Sequence, residues 1–332
     1  MVLAWVAGCQ KPEASPLVPA HQASSYYVEG QLAMDRQDYD AALAELRKAI
    51  AADPSLSVAH AAIGDIYRKQ GKLEEAASAY EQAVTTDPSS FRPQYNLGVV
   101  YQALADAAKD AQAGAEYIQK AIDTYVKALE IQPGDFDANL NLCSCYFQEG
   151  KYDLAEKYCK GAIQADPKNP GGPFNLGVIY KQMDRPYDAI RAFKDSLELD
   201  INQPRLLVEL GNVYMKLDRL KDAQKAFELA TQQDAENADA WEQMGQVYYH
   251  QQRYDEAVKA YEKAITLNPK SSSAYRGLGV VYMTQFINQP GEPGLREKGL
   301  EAWNLSLEYN SNQEDLVKLV RKYTPTLSKP SL

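Results

Sequence analysis

The sequence predicts an all-α chain, an α-solenoid built from about eight helical hairpins, and three periodic observations lead there. Glycine or a stand-in recurs at one phase, at Gly30, Gly64, Gly98, Cys143, Gly177, Gly211, Gly245 and Gly279, spaced 34 residues apart except for one gap of 45. An aromatic follows three residues later in seven of these repeats, from Tyr67 to Tyr282, with Ala33 the exception. A bulky residue, small residues on either side of it, then recurs further on: Leu46, Tyr80, Tyr125, Cys159, Phe193, Phe227, Tyr261 and Trp303. A fixed period of this length marks an array of one supersecondary unit. Spacings of three and four put each set on one helical face, and large against small across two antiparallel helices is the packing a helical hairpin needs.

Glycine inside a helix costs about 1 kcal/mol relative to alanine, so its repetition at one phase predicts a close approach of two helices. Exits from the second helices are marked by Asp53-Pro54, Asp87-Pro88, Asp166-Pro167 and Asn268-Pro269, because proline cannot continue a helix and biases its predecessor away from the α region. Repeats five and six carry Ile201 and Ala235 instead of the proline, so their exits are less sharply defined by sequence. The repeats run over residues 23–56, 57–90, 91–135, 136–169, 170–203, 204–237, 238–271 and 272–313, together 23–313. Residues 313–323 place Leu316, Leu319 and Val320 at helical spacing and predict a capping helix; 324–332 form a tail.

The second repeat, with His60, Ile63, Gly64, Tyr67, Ala76, Tyr80, Ala83 and Pro88, resembles the tetratricopeptide repeat family, and Trp241 supplies the family's leading tryptophan in the seventh. The resemblance spans about nine tenths of the chain. It implies a right-handed superhelix whose inner surface is lined by first-helix residues one and four after the glycine and three before it. At those phases Tyr95, Val99, Leu140, Phe147, Phe174 and Val178 form an apolar, aromatic stripe that hairpin packing does not require, rimmed by Arg92, Lys181, Arg205 and Lys216. Such a groove suits an extended or helical segment of another protein, with apolar anchors and some acidic character. The alternative is that these side chains only stack neighbouring first helices.

Two insertions individualise the array. The third repeat gains 11 residues, about three helical turns, so residues 103–119 are expected to lengthen both helices. The eighth gains 8 residues with Pro290, Gly291, Pro293 and Gly294, predicting a loop over about 286–297.

The N-terminal segment obeys different rules. Val6-Ala7-Gly8-Cys9 resembles the lipobox of bacterial lipoproteins, which implies that residues 1–8 belong to a signal segment and that the Cys9 thiol carries lipid. Residues 9–22, with Pro12, Pro16 and Pro19, then read as a flexible tether to a bacterial envelope membrane, on its periplasmic face or at the outer membrane. In layout this is weakly similar to pilotin-like assembly factors; a soluble cytoplasmic adaptor or the regulatory subunit of an enzyme complex is the other reading.

The remaining cysteines sit in the fourth repeat. Cys143 and Cys159 face each other across the predicted hairpin, either as compact core residues or as a disulfide in an oxidising compartment. None of His21, His60 and His250 falls in that repeat, so no metal is expected there. No nucleophile elbow, phosphate-cradling loop or strand signal is present, so neither catalytic residues nor a cofactor are expected. The net charge of −10, with no basic run, argues against nucleic acid as a partner and leaves other proteins or peptide segments.

Overall fold

The computed structural model describes residues 20–324, which form seventeen helices and no strand. The Cys9 segment, the start of the tether and the tail from residue 325 lie outside the described residues. The chain divides into two compact halves at Asp166 and Pro167.

In the first half, α1 (Ala20–Asp35) pairs with α2 (Tyr39–Ala52), α3 (Ser57–Lys69) with α4 (Leu73–Thr86), α5 (Phe91–Ala107) with α6 (Ala111–Ile131), and α7 (Phe136–Gln148) with α8 (Tyr152–Ala165). In the second, α9 (Gly171–Gln182) pairs with α10 (Pro186–Leu199), α11 (Pro204–Lys216) with α12 (Leu220–Gln233), α13 (Ala238–His250) with α14 (Tyr254–Leu267), and α15 (Ser272–Asn288) with α16 (Leu295–Tyr309); α17 (Glu314–Tyr323) follows. Within each half every helix packs on the next in the chain, the arrangement of an α-solenoid. Leu316 of α17 is buried in a cluster with Met283 and Trp303, covering apolar surface at the last hairpin.

The glycine series has a direct steric cause. A Cβ at Gly64 would stand 2.8 Å from the Tyr80 ring, and one at Gly177 would stand 2.5 Å from the Phe193 ring. Gly30 meets Leu46 in the same way, Gly98 meets Tyr125, Gly211 meets Phe227, Gly245 meets Tyr261 and Gly279 meets Trp303. Each first helix gives up its side chain so that the bulky residue of its second helix can lie flat against the backbone. Tyr80, Tyr125, Phe193 and Phe227 are fully buried as a result.

The tyrosines three residues after each glycine also do more than pack. The hydroxyls of two of them bond to the second helix of the preceding repeat: Tyr101 Oη donates to Glu81 Oε1 at 2.5 Å, and Arg47 Nη2 donates to Tyr67 Oη at 3.2 Å. Their faces carry the basic residue that opens the next helix. The guanidinium of Arg185 sits 4.3 Å from the Tyr180 ring centre, Arg219 4.7 Å from Tyr214 and Arg253 4.5 Å from Tyr248. Each such stack contributes about 0.5–1 kcal/mol at an exposed site.

Between the helices of six hairpins one residue adopts the left-handed conformation: Gln37, Gly71, Gly150, Asp184, Asp218 and Gln252, with φ from 56° to 72°. The following N–H then closes back on the carbonyl three residues after the repeat glycine, as from Arg253 to Tyr248 at 2.9 Å. Glycine fits this conformation without strain, whereas a side chain there costs roughly 1–2 kcal/mol, partly offset by glycine's greater freedom when unfolded. Gln252 is exposed. Gln252→Gly is therefore expected to raise stability by about 0.5–1 kcal/mol in urea denaturation; an unchanged or lower midpoint would show that the turn is not limiting.

Two exits that the sequence leaves undefined are fixed by aspartate, and one expected loop is shorter than its prolines suggest. Repeats five and six end as sharply as the others despite lacking proline, because the aspartate forms the turn: Asp200 Oδ1 accepts from Asn202 N at 2.9 Å and Asp234 Oδ1 from Glu236 N at 3.1 Å. The insertion at 286–297 is only partly loop. α15 runs on to Asn288 and α16 begins at Leu295, leaving 289–294 as the connection, with Gly294 at φ 83° just before α16. The third-repeat insertion lengthens α5 and α6, and at its base Tyr101 stacks on Tyr117 at 6.3 Å.

Candidate functional site

First helices touch one another within each half, α1 on α3 and α5 on α7 in the first, α9 on α11 and α11 on α13 in the second, and so define a common face. The six residues of the expected stripe lie on those helices, and all are half-buried. They divide between the halves, with Tyr95, Val99, Leu140 and Phe147 in the first and Phe174 and Val178 in the second.

In the first half, the Tyr95 ring stands 5.9 Å from both Phe91 and Tyr125, and its phenol accepts from Asn141 Nδ2 at 3.3 Å. Phe147 leans on Tyr152 of its own hairpin at 5.7 Å. Arg92, exposed at the start of α5, helps line a polar pocket of about 410 Å³ together with Asp65 and Arg68 of α3 and Tyr27 of α1. Asp65 is the organiser of this pocket. It accepts from the Tyr80 phenol at 2.5 Å and from Asn96 Nδ2 at 3.2 Å, while the Arg68 guanidinium lies 3.9 Å away.

In the second half, Phe174 and Val178 of α9 and Arg205, Leu206 and Glu209 of α11 line an open groove of about 820 Å³. The Phe174 ring lies 6.2 Å from Phe193, so one edge is fixed by the hairpin core and the rest faces the groove. The expected cationic rim is only partly free. Lys181 Nζ is 2.5 Å from Glu209 Oε2, and Lys216 Nζ is 2.6 Å from Asp184 Oδ1, so both tie neighbouring repeats together. Arg92 and Arg205 have no carboxylate within ion-pair reach among the described residues.

Cys143 and Cys159, both buried, replace the usual glycine and bulky residue of their hairpin; their Cα atoms lie 5.3 Å apart and their sulfurs are bonded. Cys145 is a free, buried thiol whose pKa burial pushes up to about 12, far above a reactive value. Among the described residues, no group of three or more His, Cys, Asp and Glu side chains could hold a metal ion, and no helix is long and apolar enough to cross a membrane.

The Asp65 pocket was missed by the repeat pattern, which treats Asp65 as one variable position among others. Its partners Tyr80 and Asn96 lie 15 and 31 residues away and converge only once the hairpins stack. The basic residue eight after the glycine, by contrast, is periodic in the sequence at Lys72, Lys151, Arg185, Arg219 and Arg253, and could have been read from it.

The family model described as Cilia and flagella-associated protein 70 C-terminal domain matches residues 20–240, and a tetratricopeptide repeat model matches residues 245–285. RNA polymerase II-associated protein 3 of Homo sapiens is 29% identical over 167 residues, which are 49% of this chain and 24% of that protein. The chain thus matches about a quarter of that relative's length. A tetratricopeptide repeat protein from Parabacteroides merdae superposes with a TM-score of 0.58 at 15% identity, covering 81% of this chain and 99% of that one. Pseudomonas aeruginosa pilF gives 0.53 at 24% identity, covering 67% and 96%. At those identities the two structures speak to fold alone. The model that covers residues 20–240 decides the family: the chain is a tetratricopeptide repeat protein and belongs to the family described as the Cilia and flagella-associated protein 70 C-terminal domain.

Proposed function

We propose that this interaction scaffold holds a polypeptide segment of another protein on its first-helix face, and that a lipid on Cys9 anchors it to a bacterial envelope membrane, where it supports the assembly of a complex. The observation that carries the binding reading is the groove beside Phe174 and Val178, apolar along α9, with an unpaired Arg205 opposite and Glu209 neutralised by Lys181. An aliphatic or aromatic anchor followed by an acidic residue matches that order of surfaces. The four aromatic and aliphatic residues of the first half offer a comparable surface, with Arg92 in the cationic role.

Selection of random twelve-residue peptides on the purified chain should enrich an apolar anchor next to Asp or Glu. Phe174→Ser should then weaken the selected peptides at least tenfold with an unchanged far-ultraviolet circular dichroism spectrum, and Phe147→Ser should do so for peptides seated on the first half. Equal affinity for the serine variants would remove the groove from the reading. For the anchor, membrane fractionation with intact-mass analysis should find a product beginning at Cys9 and bearing acyl chains. A soluble product retaining residues 1–8 would defeat it.

The lipobox-like segment and the general layout support the envelope placement, including a weak likeness to pilotin-like factors. The second reading, a soluble adaptor or complex subunit, is favoured by the relative whose name describes association with RNA polymerase II. The same fractionation separates the two.

A further inference from the structure

Gly277 does not belong to the glycine series. It lies two residues before the repeat glycine, where the other repeats carry Val28, Ala62, Asn96, Asn141, Asn175, Glu209 and Gln243. In the interior of α15 such a residue is unfavourable for the helix and calls for a reason. The reason is Tyr261: a Cβ at Gly277 would stand 2.7 Å from its phenol oxygen and closer still to its ring. The missing side chain opens a passage through which the Tyr261 phenol passes from the hairpin core to the first-helix face.

What the phenol reaches there differs from the equivalent tyrosines. Tyr80 donates to Asp65 and Tyr125 to Gln102, each ending on a protein acceptor. Tyr261 is only 6% exposed, yet its hydroxyl has no hydrogen-bond partner among the described residues. It faces a pocket of about 280 Å³ lined also by Glu242, Gln246, Ser273 and Arg276. The buried ring thus holds a hydroxyl that opens on the pocket and has its donor free for an acceptor there. Arg276 likewise has no carboxylate within ion-pair reach. Glu242, the one acid in the pocket, is already engaged: its Oε2 accepts from Ser271 at 3.0 Å and from Ser273 at 2.8 Å.

We propose that this pocket is a binding site for the ionised carboxylate of an acidic residue in a peptide, with the Tyr261 phenol and the Arg276 guanidinium donating to its oxygens. The guanidinium provides charge and paired donors, and the phenol, fixed by the core, provides direction. The free Oε1 of Glu242 is positioned on the same lining to accept an N–H of the bound chain. A volume of about 280 Å³ admits one side chain and excludes a helix. The site stands apart from the Phe174 groove and does not depend on it.

The test uses the full chain labelled with 3-fluorotyrosine, the Tyr261 fluorine resonance being identified as the one lost in Tyr261→Phe. Titration with acetyl-Gly-Glu-Gly-amide should shift that resonance saturably. The matching glutamine peptide should bind at least tenfold more weakly, and Arg276→Gln, at an exposed position, should lose the difference between them. Phe174→Ser should leave the titration unchanged. A resonance that does not move, equal binding of both peptides, or a retained preference in Arg276→Gln would overturn the proposal. Binding of glutarate without binding of the glutamate peptide would overturn the assignment to a peptide.

Discussion

Replacing Phe227 with alanine is expected to destabilise the second half by about 3–5 kcal/mol, read as a lower urea midpoint. The ring is fully buried and lies flat on Gly211, where a Cβ would overlap it. Its removal leaves a cavity between α11 and α12 that their backbones cannot close. Gly211→Ala alone is expected to cost about 1–3 kcal/mol through overpacking, reduced by the better helix propensity of alanine. The double variant supplies the sharper test. With the ring gone the new methyl has room and fills part of the cavity, so the combination should be more stable than Phe227→Ala by about 1 kcal/mol. Additive losses would mean that the two residues do not share one space.

The same pair explains how much of the fold could be read in the sequence. Glycine and bulky residue repeat because each hairpin solves one local packing problem, and a local problem leaves a periodic trace. The hairpin turns were only half visible, since Gly71 and Gly150 share a phase with Gln37, Asp184, Asp218 and Gln252, whose side chains hide the left-handed backbone they adopt. The eighth-repeat insertion shows the opposite error. Its prolines suggested a long loop, but they lie within 289–294, and helix continues on both sides because nothing there opposes it.

Candidate binding residues were legible by phase and not by state. The repeat places Lys181 and Lys216 on the right face, but their acids, Glu209 and Asp184, come from the adjacent repeat and neutralise them. Arg92 and Arg205 occupy similar places on their helices and find no such partner. Pairing of this kind depends on how neighbouring hairpins stack, which a single repeat does not encode. Tyr261 makes the point again: its phase marks it as core, and only the absence of a side chain at Gly277 turns its hydroxyl toward the outside.

Stability is expected to collapse in alkali while the arginines still carry their charge. Burial raises the pKa of Tyr80, Tyr125 and Tyr261, and for Tyr80 the Asp65 carboxylate adds to it. Tyr101 is raised by burial and by Glu81, and its greater contact with solvent makes its share smaller. A folded-state pKa above the unfolded value of 10.0 means that the neutral phenol is favoured by the fold. That contribution is complete below about pH 10 and is lost as pH rises from there towards the folded pKa, since only the unfolded chain releases its protons. Each unit of pH in that window costs about 1.4 kcal/mol per buried phenol. At about pH 11.5, Tyr80, Tyr125 and Tyr261 together remove about 6 kcal/mol, comparable to the whole stability of many domains. Tyrosinate absorbance and circular dichroism should therefore change together in one steep step above pH 10, a fraction of the 23 tyrosines ionising only with loss of helix. Tyr125→Phe should move that step to higher pH, because it removes a proton that the unfolded chain would otherwise release. A smooth titration of all tyrosines near pH 10 with the helices intact would show that the phenols are open to solvent and that the glycine-lined seats do not hold them.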